Sequence, residues 1–427
     1  MEQPSPAPVS GRLYWLAVLA AWSWLFRRIS EETWKHGRET FLRLALIVLL
    51  TLCAGWLGRR IAALPSPRSR WLEVVLRALA AGATLYLLVQ MTNALTGELR
   101  FDPYGNRAVD IGINTAIAED WFAAGENPYA QQAQLQYKFE PGPNVEVRDS
   151  NVFMYGVPYK YGYPYYPMMF LSYLPFRLVV PGAHSVRMGN WIFLVLNLVG
   201  FLLLSRRLAP RPSALTAAAF ASVLFLGLPM FVVESVQAAV TDVVISTFAL
   251  FAYVALSSGR MTLAGVLFGL AAACKLLPGP MLVLPALIWA WGRPGFARLL
   301  TAFLVSSLMV LLPFILADPS ALLSSTVLFY LVNHAQGDTT SAWYYLPESA
   351  RPVFTAVGYL LCLSALGWTV RLRRGDVLWP MTIAFAAYLI FVAFARMTHL
   401  NYIWSVYSLG CAAIVLQALR GTDGEPA

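Results

Sequence analysis

Apolar runs recur along the chain, each separated from the next by a short polar or basic stretch. They fall at 41–63, 72–95, 188–205, 213–231, 239–257, 261–275, 277–291, 299–317, 353–370, 378–395 and 400–418. A helix needs about 20 mostly apolar residues to cross a bilayer, so the pattern predicts an all-α polytopic membrane protein with about 11 transmembrane helices. The run 13–26 is too short to span, and its Trp15, Trp22 and Trp24 suit a helix lying at the headgroup level. Residues 1–40 therefore read as a tail with an interfacial helix, and 41–427 as a single membrane domain. One long stretch breaks the apolar pattern. Residues 98–187 are rich in carboxylates, tyrosines and prolines, and a second polar piece follows at 317–352. Within the latter, 321–332 is expected to form a helix near the interface.

The pair 261–275 and 277–291 is unusual because both runs are short. Lys275-Leu276-Leu277-Pro278-Gly279-Pro280 joins them, and proline and glycine break a helix there. Non-helical backbone at membrane depth is tolerated only inside protein or along a cavity. The joint is expected to line a cavity.

Composition agrees with a membrane protein. Of 427 residues 58% are hydrophobic and 12% charged, against about 25% charged in soluble domains. Mean hydropathy is +0.60. The net charge of +9 does not point to nucleic acid, because the basic residues sit in short clusters between apolar runs. Arg59, Arg60, Arg68 and Arg70, then Arg206, Arg207 and Arg211, Arg260, Arg293 and Arg298, Arg371, Arg373 and Arg374, and Arg420 occupy alternate linkers. By the positive-inside rule that side is the cytoplasm of a cell (inner) membrane protein. The loops 98–187 and 317–352 and the turn 231–238 then face outward. Cys53, Cys274, Cys362 and Cys411 all lie in apolar runs and read as small core residues.

Few residues offer chemistry. Asp110 opens a segment in which Ile111, Ile113, Ile117 and Trp121 recur at near-helical spacing. That predicts an amphipathic helix on the outer surface with a carboxylate at its start. A solvated N-cap aspartate is the plainer reading. Asp102 and Asp120 are rivals. Lys275 is an ionisable group inside a membrane segment, which implies a partner, a cavity or a side chain snorkelling to the headgroups. Arg396 and His399 occupy an outer turn, against the charge bias of the rest of the chain, where they suit either a phosphate or lipid headgroups. Glu234, Gln237 and Asp242 cluster at another turn, and His334 lies in the second loop. Taken singly these four read as structural. No Walker loop, zinc spacing, G-x-S-x-G or redox C-x-x-C is present.

Taken in order, several of these elements resemble the GT-C class of integral-membrane glycosyltransferases, and within it glycosyltransferase family 87. The resemblance rests on Asp110 after an early span, Gly125-Glu126-Asn127-Pro128-Tyr129, Tyr161-Gly162-Tyr163-Pro164-Tyr165-Tyr166-Pro167, Ser235-Val236-Gln237, Lys275-Leu276-Leu277-Pro278 and Thr398-His399-Leu400-Asn401-Tyr402. Two elements depart from the family's pattern: residues intervene between the prolines of the second, and the glycine usual before the glutamine is missing. The resemblance covers roughly 70–418. It implies a GT-C-like bundle with a large outer catalytic loop, acting on a polyprenyl-phosphate-linked hexose, most often mannose. It also implies an envelope glycolipid or polysaccharide acceptor, membrane lipids as surroundings, and neither cofactor nor metal.

The residues fit such chemistry independently. A glycosidase needs two carboxylates, one of them to protonate a poor leaving group. A lipid phosphate leaves as a stabilised anion and needs cations instead. Asp110 is then the general base, and Arg396, His399 and Lys275 hold the departing phosphate. Asp120, Tyr129, Tyr163, Gln237 and His334 are expected to contact substrate. Attack assisted by a single base inverts the anomeric centre. A transporter or lipid-linked-sugar flippase is the alternative class, since broken helices and buried charges suit it too. A structural protein of the envelope is a further one.

Overall fold

A computed structural model describes residues 70–101, 108, 110–131, 162–209, 214–276, 278–328, 346–372, 375–395 and 401–420. The expected interfacial helix 13–26 and the span 41–63 lie outside these residues, as do Asp102, His334, Arg396 and His399.

Every regular element among the described residues is helical. In chain order these are α1 (Arg70–Glu98), α2 (Asp110–Ala123), α3 (Pro167–Leu171), α4 (Leu174–Arg177), α5 (Ala183–Leu208), α6 (Ala214–Leu226) and α7 (Pro229–Val232). A π-helical turn, Val233–Gln237, leads to α8 (Val243–Ser257), α9 (Met261–Ala272), α10 (Pro278–Ala290), α11 (Phe296–Ala317) and α12 (Pro319–Leu323). A second π-turn, Ser324–Leu328, and a 3₁₀ turn, Glu348–Ala350, precede α13 (Arg351–Leu372), α14 (Leu378–Phe394) and α15 (Asn401–Arg420).

Each expected span from 72–95 onward carries a helix, and the ends follow from local chemistry. Arg206 and Arg207 close α5, where cations favour the negative end of the helix dipole. Gly259, at φ +70°, ends α8 in the left-handed conformation that glycine adopts without strain. Asp318 caps α12 by accepting from the Ala321 amide at 2.9 Å.

Among the described residues four helices are long and apolar enough to cross a membrane: Arg77–Glu98, Ala183–Leu208, Phe296–Ala317 and Glu348–Leu372. Ala214–Leu226, Val243–Ser257, Met261–Ala272, Met281–Ala290, Pro319–Leu328 and Leu378–Phe394 are apolar but shorter. Turns cut into several of the apolar runs: Gly227-Leu228-Pro229 ends α6 early, and the joint at Lys275 separates α9 from α10. The apolar residues of those turns lengthen the runs in sequence without lengthening the helices. The helix expected over 321–332 is likewise divided, with α12 giving way to the π-turn at Ser324.

The chain divides into two compact units. One comprises 1–91, 198–232 and 410–427. There Arg77 Nε donates to Thr216 Oγ1 at 2.6 Å, and Phe225 meets the rings of Phe201 and Phe231 at 5.3 and 4.8 Å.

The other unit comprises 92–197 and 233–409 and holds all the described candidate site residues. Its closest helix packing is between α9 and α11. A Cβ on Gly265 would lie 2.8 Å from Ala302 Cβ, and one on Gly269 would lie 2.7 Å from the Phe303 carbonyl. Ser306 and Ser307 hydroxyls donate to the Val266 and Gly269 carbonyls at 3.3 and 3.2 Å. Small residues four apart let two helix backbones approach, which is how helices pack in lipid.

Candidate active site

The joint at Lys275 is the centre of the site. Pro278 has no amide hydrogen and disfavours helix in the residue before it, so α9 ends at Ala272. The carbonyls of Ala273 and Cys274 are thereby left without helical donors, and the 98–187 loop supplies them. Met168 N donates to Ala273 O and Tyr166 N to Cys274 O, both at 3.0 Å. Buried backbone polar groups need partners, and here the first loop and the broken helix satisfy each other.

Lys275 does not snorkel. It is 2% exposed, and its Nζ donates to Asp242 Oδ1 at 3.0 Å. The ammonium also lies over the Tyr402 ring at 3.8 Å and the Tyr165 ring at 5.2 Å. Asp242 immediately precedes α8 but does not cap it. Its carboxylate instead gathers three partners. Ser405 Oγ donates to Oδ1 at 2.7 Å and Asn401 Nδ2 to Oδ2 at 3.0 Å. Asn401 and Ser405 are one turn apart at the start of α15, on one face of the helix. One buried carboxylate thus ties α8, the α9–α10 joint and α15 together.

The turn before Asp242 is constrained as well. Ala239 has φ +59°, left-handed for a residue other than glycine. It packs against Gly112 of α2, where a Cβ would come within 2.6 Å of both the Ala239 Cβ and its carbonyl. Glu234, in the π-turn, accepts from Trp404 Nε1 at 2.5 Å. Burial pushes the Glu234 carboxyl up to about 7, partly offset by the Trp404 bond and reinforced by the Asp242 charge.

Asp110 is the first residue of α2, two positions before the glycine that meets Ala239. The helix is not amphipathic as expected. Ile111 and Ile113, on opposite sides of the helix, are both buried, as are Asn114, Thr115 and Glu119, while Phe122 is exposed. Polar side chains can be buried all round because they find partners inside the unit. Thr115 Oγ1 lies 3.0 Å from the Tyr163 hydroxyl. Ser185 Oγ reaches Glu119 Oε2 at 2.7 Å and Gly182 O at 2.8 Å. Burial holds the Glu119 carboxyl well above the usual range, partly offset by the Ser185 bond.

The other expected site residues divide into two groups. Tyr129 and Tyr163 come together, each 2% exposed, with ring centroids 6.2 Å apart. The Tyr129 hydroxyl donates to Tyr165 O at 2.8 Å, and Tyr163 N donates to Pro128 O at 3.0 Å. Ser325, in the second π-turn, accepts from Gly162 N at 3.0 Å. The two tyrosine-proline motifs therefore pack on each other, inside the loop and not on an open face. Asp120 and Gln237 are engaged elsewhere. Asp120 pairs with Arg177 at 2.5 Å, and the Gln237 carbonyl accepts from buried Arg187 at 3.0 Å.

Tyr165, Asn401 and Tyr402 lie in the motifs that carry the family resemblance and Asp242 in the turn with Glu234 and Gln237, whereas Ser405 has no signal of its own in the sequence. Their gathering around Lys275 follows the rule that a buried cation needs a partner.

No family model matches the chain, and no curated protein matches it in sequence. Several solved structures match in fold, and two of them are the same protein in two states. These two are ArnT from Cupriavidus metallidurans bound to undecaprenyl phosphate, with TM-score 0.51, and the same protein in the apo state, with TM-score 0.50. Each is 17% identical over 79% of this chain and 60% of the ArnT chain. The chain thus spans less than two thirds of the length of the structures it resembles. At this identity the likeness is one of fold.

Proposed function

We propose that this chain is an inverting GT-C glycosyltransferase, of the family 87 type. In this reading it moves a hexose, mannose in the first instance, from a polyprenyl phosphate to an envelope glycolipid or polysaccharide on the outer face of the cell membrane. One observation carries the proposal. The loop motifs, the turn before Asp242, the broken helix at Lys275 and the start of α15 were singled out separately along the chain, and they are packed on one another in a single unit. ArnT, whose fold this chain resembles, is known bound to undecaprenyl phosphate.

In this reading the acceptor hydroxyl attacks the anomeric carbon while Asp110 takes its proton. The bond from that carbon to the phosphate oxygen breaks, and polyprenyl phosphate leaves with the electron pair. Arg396 and His399 lie just before α15 and, with Lys275, receive the developing phosphate charge. Asp120, Gln237 and His334 contact substrate in this reading, Asp120 by exchanging its Arg177 partner. Tyr129 and Tyr163 act by holding the loop in shape, with sugar contact as a second role.

The test is transfer of radiolabelled sugar from synthetic polyprenyl-phosphate-mannose to a membrane lipid extract. Wild type should transfer, and a folded Asp110→Asn variant should lose about 100-fold or more. Full transfer by that variant would falsify the base assignment. Failure of the wild type with mannose, but success with another hexose, would move the sugar and leave the class intact.

A further inference from the structure

The three partners of Asp242 are not equivalent. Asn401 and Ser405 are neutral donors fixed on the first turn and a half of α15, 3.0 and 2.7 Å from the carboxylate. The carboxylate also sits at the N-terminus of α8, where the helix dipole favours negative charge. These supports do not depend on the lysine. Lys275, in contrast, stands on unwound backbone between two broken helices, on a four-carbon stem. Its ammonium lies against two aromatic faces, Tyr402 at 3.8 Å and Tyr165 at 5.2 Å. A cation can shift along such faces while keeping a favourable environment. The pair as it stands is electrically neutral and therefore offers an incoming anion little net attraction.

We infer that Lys275 is an exchanging cation: Asp242 holds it while the site is empty and yields it to the phosphate of a bound polyprenyl monophosphate. Asp242, kept in place by Asn401 and Ser405, takes it back as that lipid departs. The carboxylate is thus a built-in competitor that limits how tightly the leaving lipid is held. This inference rests on the donor class proposed above and adds to it a residue, Asp242, and a role in product release.

The experiment measures binding of undecaprenyl phosphate to the purified full-length protein in nanodiscs, alongside steady-state transfer. Lys275→Met should weaken binding. Asp242→Asn removes the competitor and should tighten binding by on the order of tenfold, while kcat falls because product leaves slowly. Ser405→Ala changes no charge and removes one support of the carboxylate, so Asp242 should hold the lysine harder and lipid affinity should fall. It also serves if Asp242→Asn does not fold. If Asp242→Asn weakens binding as Lys275→Met does, or leaves it unchanged, the pair is a structural tie and the exchange is refuted. An unchanged affinity in Ser405→Ala would refute it equally. A wild type that binds no polyprenyl phosphate would instead overturn the proposed function itself.

Discussion

Two aromatic-bound cations mark different regions of the larger unit, and they are built differently. Lys275 lies 3.8 Å over Tyr402, and Arg293 lies 3.8 Å over Trp289. The lysine is 2% exposed and paired with a carboxylate that two further side chains hold. The arginine is partly exposed and donates to two carbonyls, Trp289 O at 3.1 Å and Gly375 O at 3.0 Å. Trp289 Nε1 donates to the same Gly375 carbonyl at 2.9 Å. The second cluster ties two short linkers together where the charge bias expects the cytoplasm. The first keeps a full ion pair out of water, an arrangement that a well-packed apolar core could match or better for stability alone. Its retention points to use.

Breaking the buried pair should give the largest effect. Lys275→Met and Asp242→Asn should each cost about 3–5 kcal/mol, because each leaves one buried group uncompensated. The double variant should cost less than either, by thermal unfolding in detergent. Additive losses would mean that the pair is not coupled.

Glu234, beside the same cluster, sharpens the contrast through pH. Its folded value of about 7 lies above its ordinary 4.5. Between those values the folded state keeps a proton that the unfolded state has lost. Stability therefore falls as pH rises through that window and levels off above it. Glu234→Gln should flatten the fall and stabilise the protein by roughly 2–3 kcal/mol above neutrality, as an upper bound. The glutamine oxygen can still accept from Trp404. Unaltered pH dependence would remove Glu234 as its source.

Packing comes next. Gly269→Leu should cost about 1–3 kcal/mol by forcing α9 and α11 apart. Gly112→Ala pushes α2 from Ala239 and should reduce transfer more than it reduces stability, read as kcat against unfolding midpoint. Equal loss in both would make α2 merely structural. Arg293→Ala should be smallest, about 0.5–1 kcal/mol with transfer unchanged.

The contrast also explains what was legible in the sequence. Apolar runs place membrane helices well, because lipid demands uninterrupted hydrophobic length. Pro278 announced the break at Lys275, because proline acts on its own neighbours. Asp242 was hidden, because its pairing with Lys275 joins residues 33 apart and with Asn401 residues 159 apart. Neither spacing is periodic. The expected amphipathic character of α2 failed for a related reason. Periodicity assumes one wet face, whereas Thr115 and Glu119 find partners on Tyr163 and Ser185 and need none. An apolar run can also be longer than the helix it contains, because apolar residues continue through the turn at Gly227-Leu228.

The most direct test of the account is a structure of the full-length protein with undecaprenyl phosphate bound. The phosphate should lie beside Lys275 and the segment that carries Arg396 and His399, with the lysine drawn from Asp242. A phosphate seated elsewhere, for instance by Arg293, with the Lys275–Asp242 pair undisturbed at 3.0 Å, would contradict it.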